Sequence, residues 1–371
     1  MRICILTYHR AYNCGAMLQA WALKTVLAKM GHDVRIPACN SVGEEPLLKS
    51  IPNNGYRGLR RARTILGYLW LNIHLVLTMA VSYRRHRVFR KRFLVDEDVR
   101  PEDFANHYDL VVVGSDQVWS ERHSKQDGAL FFGESIPKEM PIITYATSYG
   151  DKFLPDEYVP RVVRAANRCR AIAIREDLIR DQLQDQVNVP MVRVLDPTLL
   201  LTSQDYAEIA SSDVPGGDYL YAYVLWATPF VMKVVGELAK RLHIKTIITP
   251  VYQRTRWWHC PPGLTFGISP DRMVGYIRNA KYVITSSFHG TAFSIIYKKP
   301  FLSLRELENG MEGRAKTLLE EMGEVGRLVN PDFDIDAMQA ALETPLDSDG
   351  IDVKLEKLRA ESLAWLEKNV R

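Results

Sequence analysis

The sequence predicts an α/β protein built from two doubly wound, Rossmann-like domains that face each other across a cleft. Its 371 residues exceed the size of an ordinary single core, so the length favours two domains. Short apolar runs alternate with helical apolar spacing along most of the chain, which is typical of βαβ units and a parallel sheet. A turn-rich stretch at 211–218 separates two such alternating sets. We therefore expect domains at 1–212 and 213–371.

In the first half, continuous apolar runs predict strands that are buried on both faces. The predicted strands lie at 2–8, 33–38, 108–114, 142–148, 171–175 and 192–195. Helical spacing predicts helices at 16–30, about 156–169 and 176–184. Strands that alternate with helices in this way indicate a parallel sheet covered on both faces, but the patterns do not give the order of the strands.

The second half repeats the alternation. The predicted strands lie at 219–225, 245–249, 282–286 and 301–304. The predicted helices lie at 229–241, about 270–279, 290–298, 313–322, 335–342 and 351–368. The last helices follow the final predicted strand, so we expect the second domain to end in a helical segment.

A basic helical insert at about 45–95 interrupts the first domain. From 57 to 93 there are ten arginine and lysine residues and no acidic residue, and the stretch 64–83 carries no formal charge. A stretch of about 20 residues is long enough to span a bilayer, but Asn72, His74 and the basic residues on both flanks argue against a span. The alternatives are a helix lying on anionic lipid and a helix hairpin packed on the domain, which we favour.

The cysteine content indicates whether disulfides or zinc stabilise the fold. There are five of them, an odd and scattered set without C-x-x-C spacing: Cys4, Cys14, Cys39, Cys169 and Cys260. This argues against a disulfide framework and against a zinc site, and we expect no bound metal. The N-terminus opens with a strand pattern and not with signal-peptide architecture. We therefore expect a cytoplasmic protein, with peripheral contact at the inner face of the membrane through 57–93, and no nucleic-acid partner.

Candidate site residues follow the predicted strands, because ligands of open parallel sheets bind beyond the carboxyl ends of strands. These residues are Asn13, Gly15, Gly114, Ser115, Asp116, Gln117, Trp119, Arg175, Ser287, Phe288, His289 and Gly290. Small residues and backbone amides at helix starts suit anions, although no Walker loop or complete G-x-G-x-x-G is present. Taken singly, Gly114 is explained equally well as a tight turn, Asp116 as a helix cap and His289 as a core histidine.

Taken together, these residues form an ordered set that resembles the polysaccharide pyruvyl transferase family. The set is Asn13-x-Gly15, Gly114-Ser115-Asp116-Gln117-Val118-Trp119, Arg175-Glu176, Leu195-Asp196-Pro197-Thr198-Leu199-Leu200, Ser286-Ser287-Phe288-His289-Gly290, Lys299-Pro300-Phe301, and Arg314 with Leu318-Leu319. The resemblance covers nearly the whole chain apart from the insert. Its specific parts are the histidine turn and the run from Gly114 to Trp119.

The resemblance implies a fold like that of GT-B glycosyltransferases, with the acceptor on the N-terminal domain and the donor on the C-terminal domain. It also implies phosphoenolpyruvate as co-substrate, no cofactor or required metal, and a glycan acceptor, lipid-linked or free, in cell-surface polysaccharide synthesis. Family members bind the donor through an arginine matching Arg175 and a basic-hydrophobic-histidine triplet. Here the triplet reads Ser287-Phe288-His289, so its arginine is missing. The candidate substitutes are Arg254, Arg256, Arg305 and Arg314.

The chemistry of pyruvyl ketal formation fits these residue types. The enol carbon must be protonated, and histidine has an unperturbed pKa near neutrality, so His289 is a candidate acid. Arginine suits a ligand with both carboxylate and phosphate, which favours Arg175 as a donor ligand. Asp116 is a candidate to orient or deprotonate an acceptor hydroxyl. The aromatic candidates for stacking on a sugar are Trp119, Tyr145, Tyr149, Trp257 and Trp258.

Two other functions remain open from the sequence. One is a sugar-nucleotide glycosyltransferase of similar architecture, for which Glu306 and Glu308 are available as ribose-binding acids. The other is a non-catalytic sugar-binding relative, which the missing triplet arginine favours. An assay of phosphate release from phosphoenolpyruvate in the presence of acceptor sugars distinguishes these two functions from pyruvyl transfer.

Overall fold

The computed structural model contains two parallel sheets that lie in the two predicted halves of the chain. It describes residues 1–39, 73–94, 96–120, 128–150, 153–251, 263–265, 267–305, 313–330, 332 and 334–371. Several residues named in the sequence analysis lie outside the described part of the chain. These include Trp257, Trp258, Arg254, Arg256, Glu306, Glu308 and the insert from 45 to 72.

The N-terminal sheet has seven strands in the order β3-β2-β1-β4-β5-β6-β7, and every neighbouring pair is parallel. The strands are β1 Arg2–Leu6, β2 Asp33–Pro37, β3 Asp96–Glu97, β4 Leu110–Val113, β5 Ile142–Thr147, β6 Ala171–Ile174 and β7 Met191–Arg193. All residues of β4, β5 and β6 are buried, as their unbroken apolar runs predict. Since the strands are parallel, their carboxyl ends meet at one edge of the sheet.

The helices of this half connect successive strands. They are α1 Cys14–Lys29, α2 Ile73–Phe89, α3 Phe104–His107, α4 Val159–Arg168, α5 Asp177–Leu183 and α6 Pro197–Leu200. A π-helical turn at Arg90–Leu94 continues α2, and short 3₁₀ turns lie at Pro101–Asp103 and Asp205–Glu208. The Asn13 side chain caps α1 by accepting hydrogen bonds from the amides of Gly15 and Ala16.

The C-terminal sheet has five parallel strands in the order β12-β11-β10-β8-β9. The strands are β8 Tyr219–Val224, β9 Lys245–Pro250, β10 Tyr282–Thr285, β11 Phe301–Leu304 and β12 Leu328–Val329. The helices are α7 Pro229–Arg241, α8 Pro270–Asn279, α9 Phe288–Ile296, α10 Gly313–Met322, α11 Ile335–Glu343 and α12 Ser348–Asn369, with a 3₁₀ turn at Val325–Arg327. The structure therefore confirms the predicted pair of doubly wound α/β domains.

The facing helices of the two domains share one hydrophobic core. The ring of Tyr206 lies between Trp21 of α1 and Phe293 of α9, with centroid separations of 5.3 Å and 4.7 Å. The Tyr206 hydroxyl donates to the backbone carbonyl of Thr198, so the ring is fixed as well as buried. This packing explains why α1 is buried around most of its circumference and shows little amphipathic character.

The last helix, α12, returns to the N-terminal domain. The hydroxyl of Ser362 accepts a 3.0 Å hydrogen bond from the amide of Leu195, and the guanidinium of Arg359 donates to the carbonyl of Leu199. Trp365 packs against Tyr145, which lies in β5. These contacts hold the loop after β7 against a helix from the end of the chain.

Helix α2 belongs to the insert and bridges the two domains through its inner face. The imidazole of His86 lies 3.7 Å from the sulfur of Cys14, while Arg85 donates to the carbonyl of Gly267 at 2.5 Å and Ser82 donates to Ile268. Residues 45–72 lie outside the described part of the chain, so the helical character of the insert is established only for α2. Within the described ranges, no helix is long and apolar enough to cross a membrane.

Candidate active site

Arg175 is the centre of a buried ionic cluster at the carboxyl ends of the N-terminal strands. It follows β6 directly, and its side chain is only 4% exposed. One terminal nitrogen, Nη2, lies 2.7 Å from Oδ2 of Asp196 and also donates to the hydroxyl of Ser115. The other, Nη1, lies 3.9 Å from Oδ1 of Asp116. Three loops of the N-terminal domain therefore meet at one guanidinium.

Asp196 connects this cluster to the C-terminal domain. Its Oδ1 accepts hydrogen bonds from the amide and hydroxyl of Thr198, at 2.9 Å and 2.6 Å, and so caps α6. Its Oδ2 faces Arg175 and lies 3.9 Å from Nε2 of His289. Burial alone would raise the pKa of this carboxyl, but Arg175 and the hydrogen bonds from Thr198 outweigh burial and hold the pKa below its usual value. Asp196 is therefore ionised at neutral pH.

His289 comes from the opposite domain, in the first turn of α9. Burial lowers the pKa of its imidazole, and Arg175 and Arg314 lower it further, although Asp196 and Asp116 act in the opposite direction. The imidazole is therefore neutral at pH 7 in the unliganded protein. Its Nε2 has no hydrogen-bond partner among the described residues, so this atom is available to a ligand.

Phe288 lies between two guanidinium groups. The Cζ atom of Arg175 is 5.4 Å from the ring centroid, and the Cζ atom of Arg314 is 5.8 Å from it. Arg314 lies in the first turn of α10. Of the two candidate substitutes that the structure describes, Arg305 and Arg314, Arg314 is thus beside the site. Arg305 is exposed at the end of β11.

A cavity of about 100 Å³ opens beside this cluster, between the two domains and α12. Its wall includes Arg175, Glu176 and Asp196 from the N-terminal domain and Phe288 and Arg314 from the C-terminal domain. Three guanidinium groups border this space, those of Arg175, Arg314 and Arg193, and Arg193 is ion-paired with Glu321. The wall also carries four acidic side chains, so a compact anionic ligand would bind here through the guanidinium groups.

Glu176 contributes a buried carboxyl to the wall of this cavity. Its Oε1 accepts three hydrogen bonds, from the Ser148 hydroxyl at 2.6 Å and from the amides of Tyr149 and Gly150 at 3.0 Å and 3.2 Å. Its Oε2 is buried and has no hydrogen-bond partner in the described part of the chain. Burial raises the pKa of Glu176, although Arg314, Ser148 and other neighbours oppose the shift.

The loop after β4 lies next to the cluster. Gly114 has φ 122°, and a Cβ atom at this position would lie 2.3 Å from the carbonyl oxygen of Tyr145, so the turn requires glycine. Ser115 bonds Arg175, as described above. The backbone carbonyl of Gln117 accepts a hydrogen bond from the Tyr8 hydroxyl. This bond anchors the loop after β4 to the loop after β1.

Other predicted site residues have structural contacts that explain them. A Cβ atom on Gly290 would lie 2.0 Å from Oγ1 of Thr285, and the amide of Ser287 bonds that same hydroxyl, so both shape the start of α9. Trp119 is buried in the core and donates from Nε1 to the carbonyl of Phe131. The structure therefore does not bring Trp119 into the cavity. Tyr145 is likewise fully buried.

The sequence alone does not assign a specific function to three residues of the site: Asp196, Glu176 and Arg314. Asp196 and Glu176 appear in the sequence only as parts of motifs. Each directly follows a predicted strand, where site residues are expected, and this position is the signal that could have identified them. Arg314 was one of four candidates. Among the residues that the structure describes, no group of three His, Cys, Asp or Glu side chains is arranged to hold a metal ion.

The sequence matches a known protein family. A sequence model of the polysaccharide pyruvyl transferase family matches residues 13–306, which is well over half of the chain and includes the Arg175 cluster and His289. No individually curated protein matches the sequence significantly.

Solved structures show the same fold at low sequence identity. UDP-N-acetylglucosamine 2-epimerase from Rickettsia bellii is 13% identical, with a TM-score of 0.53 over 100% of this chain and 95% of the other. The UDP-GlcNAc 2-epimerase from Methanocaldococcus jannaschii is 14% identical, with a TM-score of 0.50 over 95% and 98%. A spinosyn forosaminyltransferase is 12% identical, with a TM-score of 0.45 over 100% and 95%. At these identities the epimerases establish the two-domain fold alone.

Proposed function

Because the chain belongs to the polysaccharide pyruvyl transferase family, we propose that it transfers the pyruvyl unit of phosphoenolpyruvate to two hydroxyl groups of a sugar. The product is a cyclic ketal, and phosphate is released. The acceptor is a glycan for cell-surface polysaccharide, free or lipid-linked. The observation that carries the proposal is the pair of arginines, Arg175 and Arg314, that line one small cavity, with the neutral His289 facing Asp196 of the cavity wall at 3.9 Å.

The two arginines supply the charge that this donor requires. Phosphoenolpyruvate carries a carboxylate and a phosphate, and each guanidinium can form two parallel hydrogen bonds to such a group. Arg175 is already held by Asp196 and Ser115, so it is preorganised and loses little freedom on binding. Arg314 supplies the second positive charge in place of the arginine that is missing before Phe288.

His289 binds the donor through Nε2 in this proposal. The bound donor brings negative charge close to the imidazole, and an opposite charge at short distance favours the protonated form. The pKa of His289 therefore rises on donor binding, so the residue can donate a hydrogen bond and assist proton transfer. Asp196 faces the same atom at 3.9 Å, and its negative charge also favours the protonated imidazole.

The acceptor approaches from the N-terminal domain, where Asp116 lies at the edge of the cluster. Asp116 is 3.9 Å from Arg175, and its positive φ of 79° turns the loop after β4 towards the site. In this proposal its carboxylate orients an attacking hydroxyl and accepts its proton. Two hydroxyls must react in turn at the same carbon, so one acceptor pocket serves both attacks.

Phosphate release tests the proposed function. The purified protein is incubated with phosphoenolpyruvate and a panel of acceptor sugars, and free phosphate and the ketal product are measured. We expect phosphate release that depends on the acceptor and persists in EDTA, because arginines neutralise the donor. Transfer from a nucleotide sugar, or activity lost in EDTA and restored by magnesium or manganese, would instead support a glycosyltransferase. Sugar binding without any turnover would support a non-catalytic relative.

A further inference from the structure

The two carboxyl oxygens of Glu176 have different surroundings. All three of its hydrogen bonds converge on Oε1, which therefore serves as an acceptor. The second oxygen, Oε2, is buried in the cavity wall without a partner among the described residues. A buried polar atom without a partner is costly, and native proteins retain few of them. An atom in this position therefore suggests a ligand or a chemical role.

The hydrogen-bond pattern also assigns the proton of this carboxyl. With three donors directed at Oε1, a proton on the carboxyl group must be on Oε2. Burial favours that protonated form, as the raised pKa of Glu176 indicates. The other acidic and basic groups of the cluster differ, since Asp196 is ionised by its ion pair and His289 is neutral. When the pKa values of two carboxyl groups in one site shift in opposite directions, one group can act as an acid and the other as a base or a fixed charge.

We propose that Glu176 is the catalytic acid that delivers a proton from Oε2 to the methylene carbon of phosphoenolpyruvate. This inference rests on the proposed function. The electron pair of the enol double bond forms the new C–H bond, and the adjacent carbon becomes electron-deficient. An acceptor hydroxyl oxygen bonds to that carbon, and phosphate later leaves with its electron pair as the second hydroxyl attacks. Asp116 accepts each hydroxyl proton in turn; one of the two protons then restores the acid form of Glu176, and the other leaves with phosphate.

The position of Glu176 next to Arg175 supports this assignment. The two residues are adjacent in the chain and line the same cavity, so a donor held by Arg175 and Arg314 lies within reach of the carboxyl. A proton donor must be within hydrogen-bond reach of the atom it protonates. His289, whose Nε2 lies 3.9 Å from Oδ2 of Asp196, then binds the donor and stabilises the charge that develops on it.

The matched test is Glu176→Gln. The amide retains a carbonyl oxygen that can accept the three hydrogen bonds at Oε1, but it has no acidic proton to donate. We expect unchanged thermal stability, an equilibrium affinity for phosphoenolpyruvate within about threefold of wild type, and a kcat lower by roughly 10²–10⁴. The kcat of wild type should fall at high pH as the acid ionises, and the residual activity of the variant should lack this dependence.

The control is Glu320→Gln, an exposed acid on α10 that forms a surface ion pair with Lys316. Its kcat should stay within a few-fold of wild type. A folded Glu176→Gln protein that retains more than half of the wild-type kcat would overturn the assignment while leaving the proposed function intact. A wild-type protein that releases no phosphate with any acceptor would overturn the proposed function and this inference together.

Discussion

Gly15 lies against His289 so closely that a Cβ atom on Gly15 would be 2.1 Å from Nδ1 of the imidazole. The two residues belong to different domains, since Gly15 is in the first turn of α1 and His289 is in the first turn of α9. The same imidazole faces Asp196 through Nε2 at 3.9 Å. The absence of a side chain at Gly15 therefore allows the domains to close with His289 beside the Arg175 cluster.

We expect Gly15→Ala to reduce kcat/KM for phosphoenolpyruvate at least tenfold, because the added methyl group must displace the buried imidazole. The backbone at Gly15 is helical, so alanine itself favours the helix. The control is Gly236→Ala in α7, where nothing lies within 4 Å of the added Cβ atom. That variant should keep its activity and gain up to about 1 kcal/mol of stability. Equal activity of the two variants would show that the contact has no functional importance.

The extents of several strands and helices could be predicted because they depend on local patterns, whereas the two-residue strands β3 and β12 were not predicted. The helices at 229–241, 270–279 and 313–322 and the strand at 301–304 begin and end at the predicted residues. Each of them combines an apolar pattern with a proline or glycine at or next to one end. His289 was expected at a turn before a helix from 290 to 298, whereas α9 begins at Phe288 and includes it.

The composition of the site was less predictable, because it depends on which strands are neighbours. Arg175 and His289 were expected to meet, since both follow strands at a cleft, and the structure brings both to Asp196. The ion pair with Asp196 could not be derived, since it requires β6 and β7 to be adjacent in the sheet. The position of Trp119 after a strand predicts that its ring stacks on a sugar. In the structure the ring is instead buried in the core.

We expect His289→Ala to fold and to lower kcat/KM for phosphoenolpyruvate by roughly 10–100-fold, the effect of losing a hydrogen bond to a charged ligand worth about 1.5–3 kcal/mol. Donor KM and thermal stability should be measured in parallel. A loss confined to kcat and near 10⁴-fold would instead make His289 the acid. A variant that is less stable but fully active in its folded fraction would indicate a purely structural histidine.

Arg314→Gln should raise the KM for phosphoenolpyruvate by about tenfold or more, because a charged hydrogen bond to the donor is lost. The control is Lys316→Gln on the same helix, whose exposed side chain forms only a surface pair with Glu320. Its KM should equal that of wild type. If the two variants behaved alike, Arg314 would not replace the missing triplet arginine.

His86 predicts a loss of stability in mild acid. Burial lowers the pKa of His86 to about 4, while the unfolded chain titrates near the usual 6.5. Since the folded pKa is the lower one, the unfolded state binds the proton first, and stability falls as the pH drops from about 6.5 towards 4. Between pH 7.5 and 5 this costs about 2 kcal/mol. Chemical denaturation of wild type and His86→Gln at both pH values measures it, and an equal loss in both proteins would contradict the assignment.

The outer face of α2 carries an apolar stripe beside basic residues. Leu77, Val81 and Val88 are 60%, 43% and 58% exposed, and their spacing places them with Arg84 on one side of the helix. Arg87, Lys91 and Arg92 are exposed nearby. Because the inner face of α2 is fixed against both domains, this outer face is presented as a rigid surface.

We expect this surface to bind vesicles that contain anionic lipid, since apolar side chains enter the headgroup region while arginines contact phosphate. Replacing Arg84 and Arg87 by Gln should weaken binding about thirtyfold at moderate salt, at roughly 1 kcal/mol for each charge. The control replaces two exposed lysines of α7, Lys233 and Lys240, by Gln. Vesicle flotation should separate the two variants, and high salt should release wild type. Because the substitutions lie outside the catalytic cluster, turnover of a soluble acceptor should be unchanged, whereas turnover of a lipid-linked acceptor should fall with binding. Equal flotation of wild type and the Arg84, Arg87 variant would exclude an electrostatic membrane contact through α2.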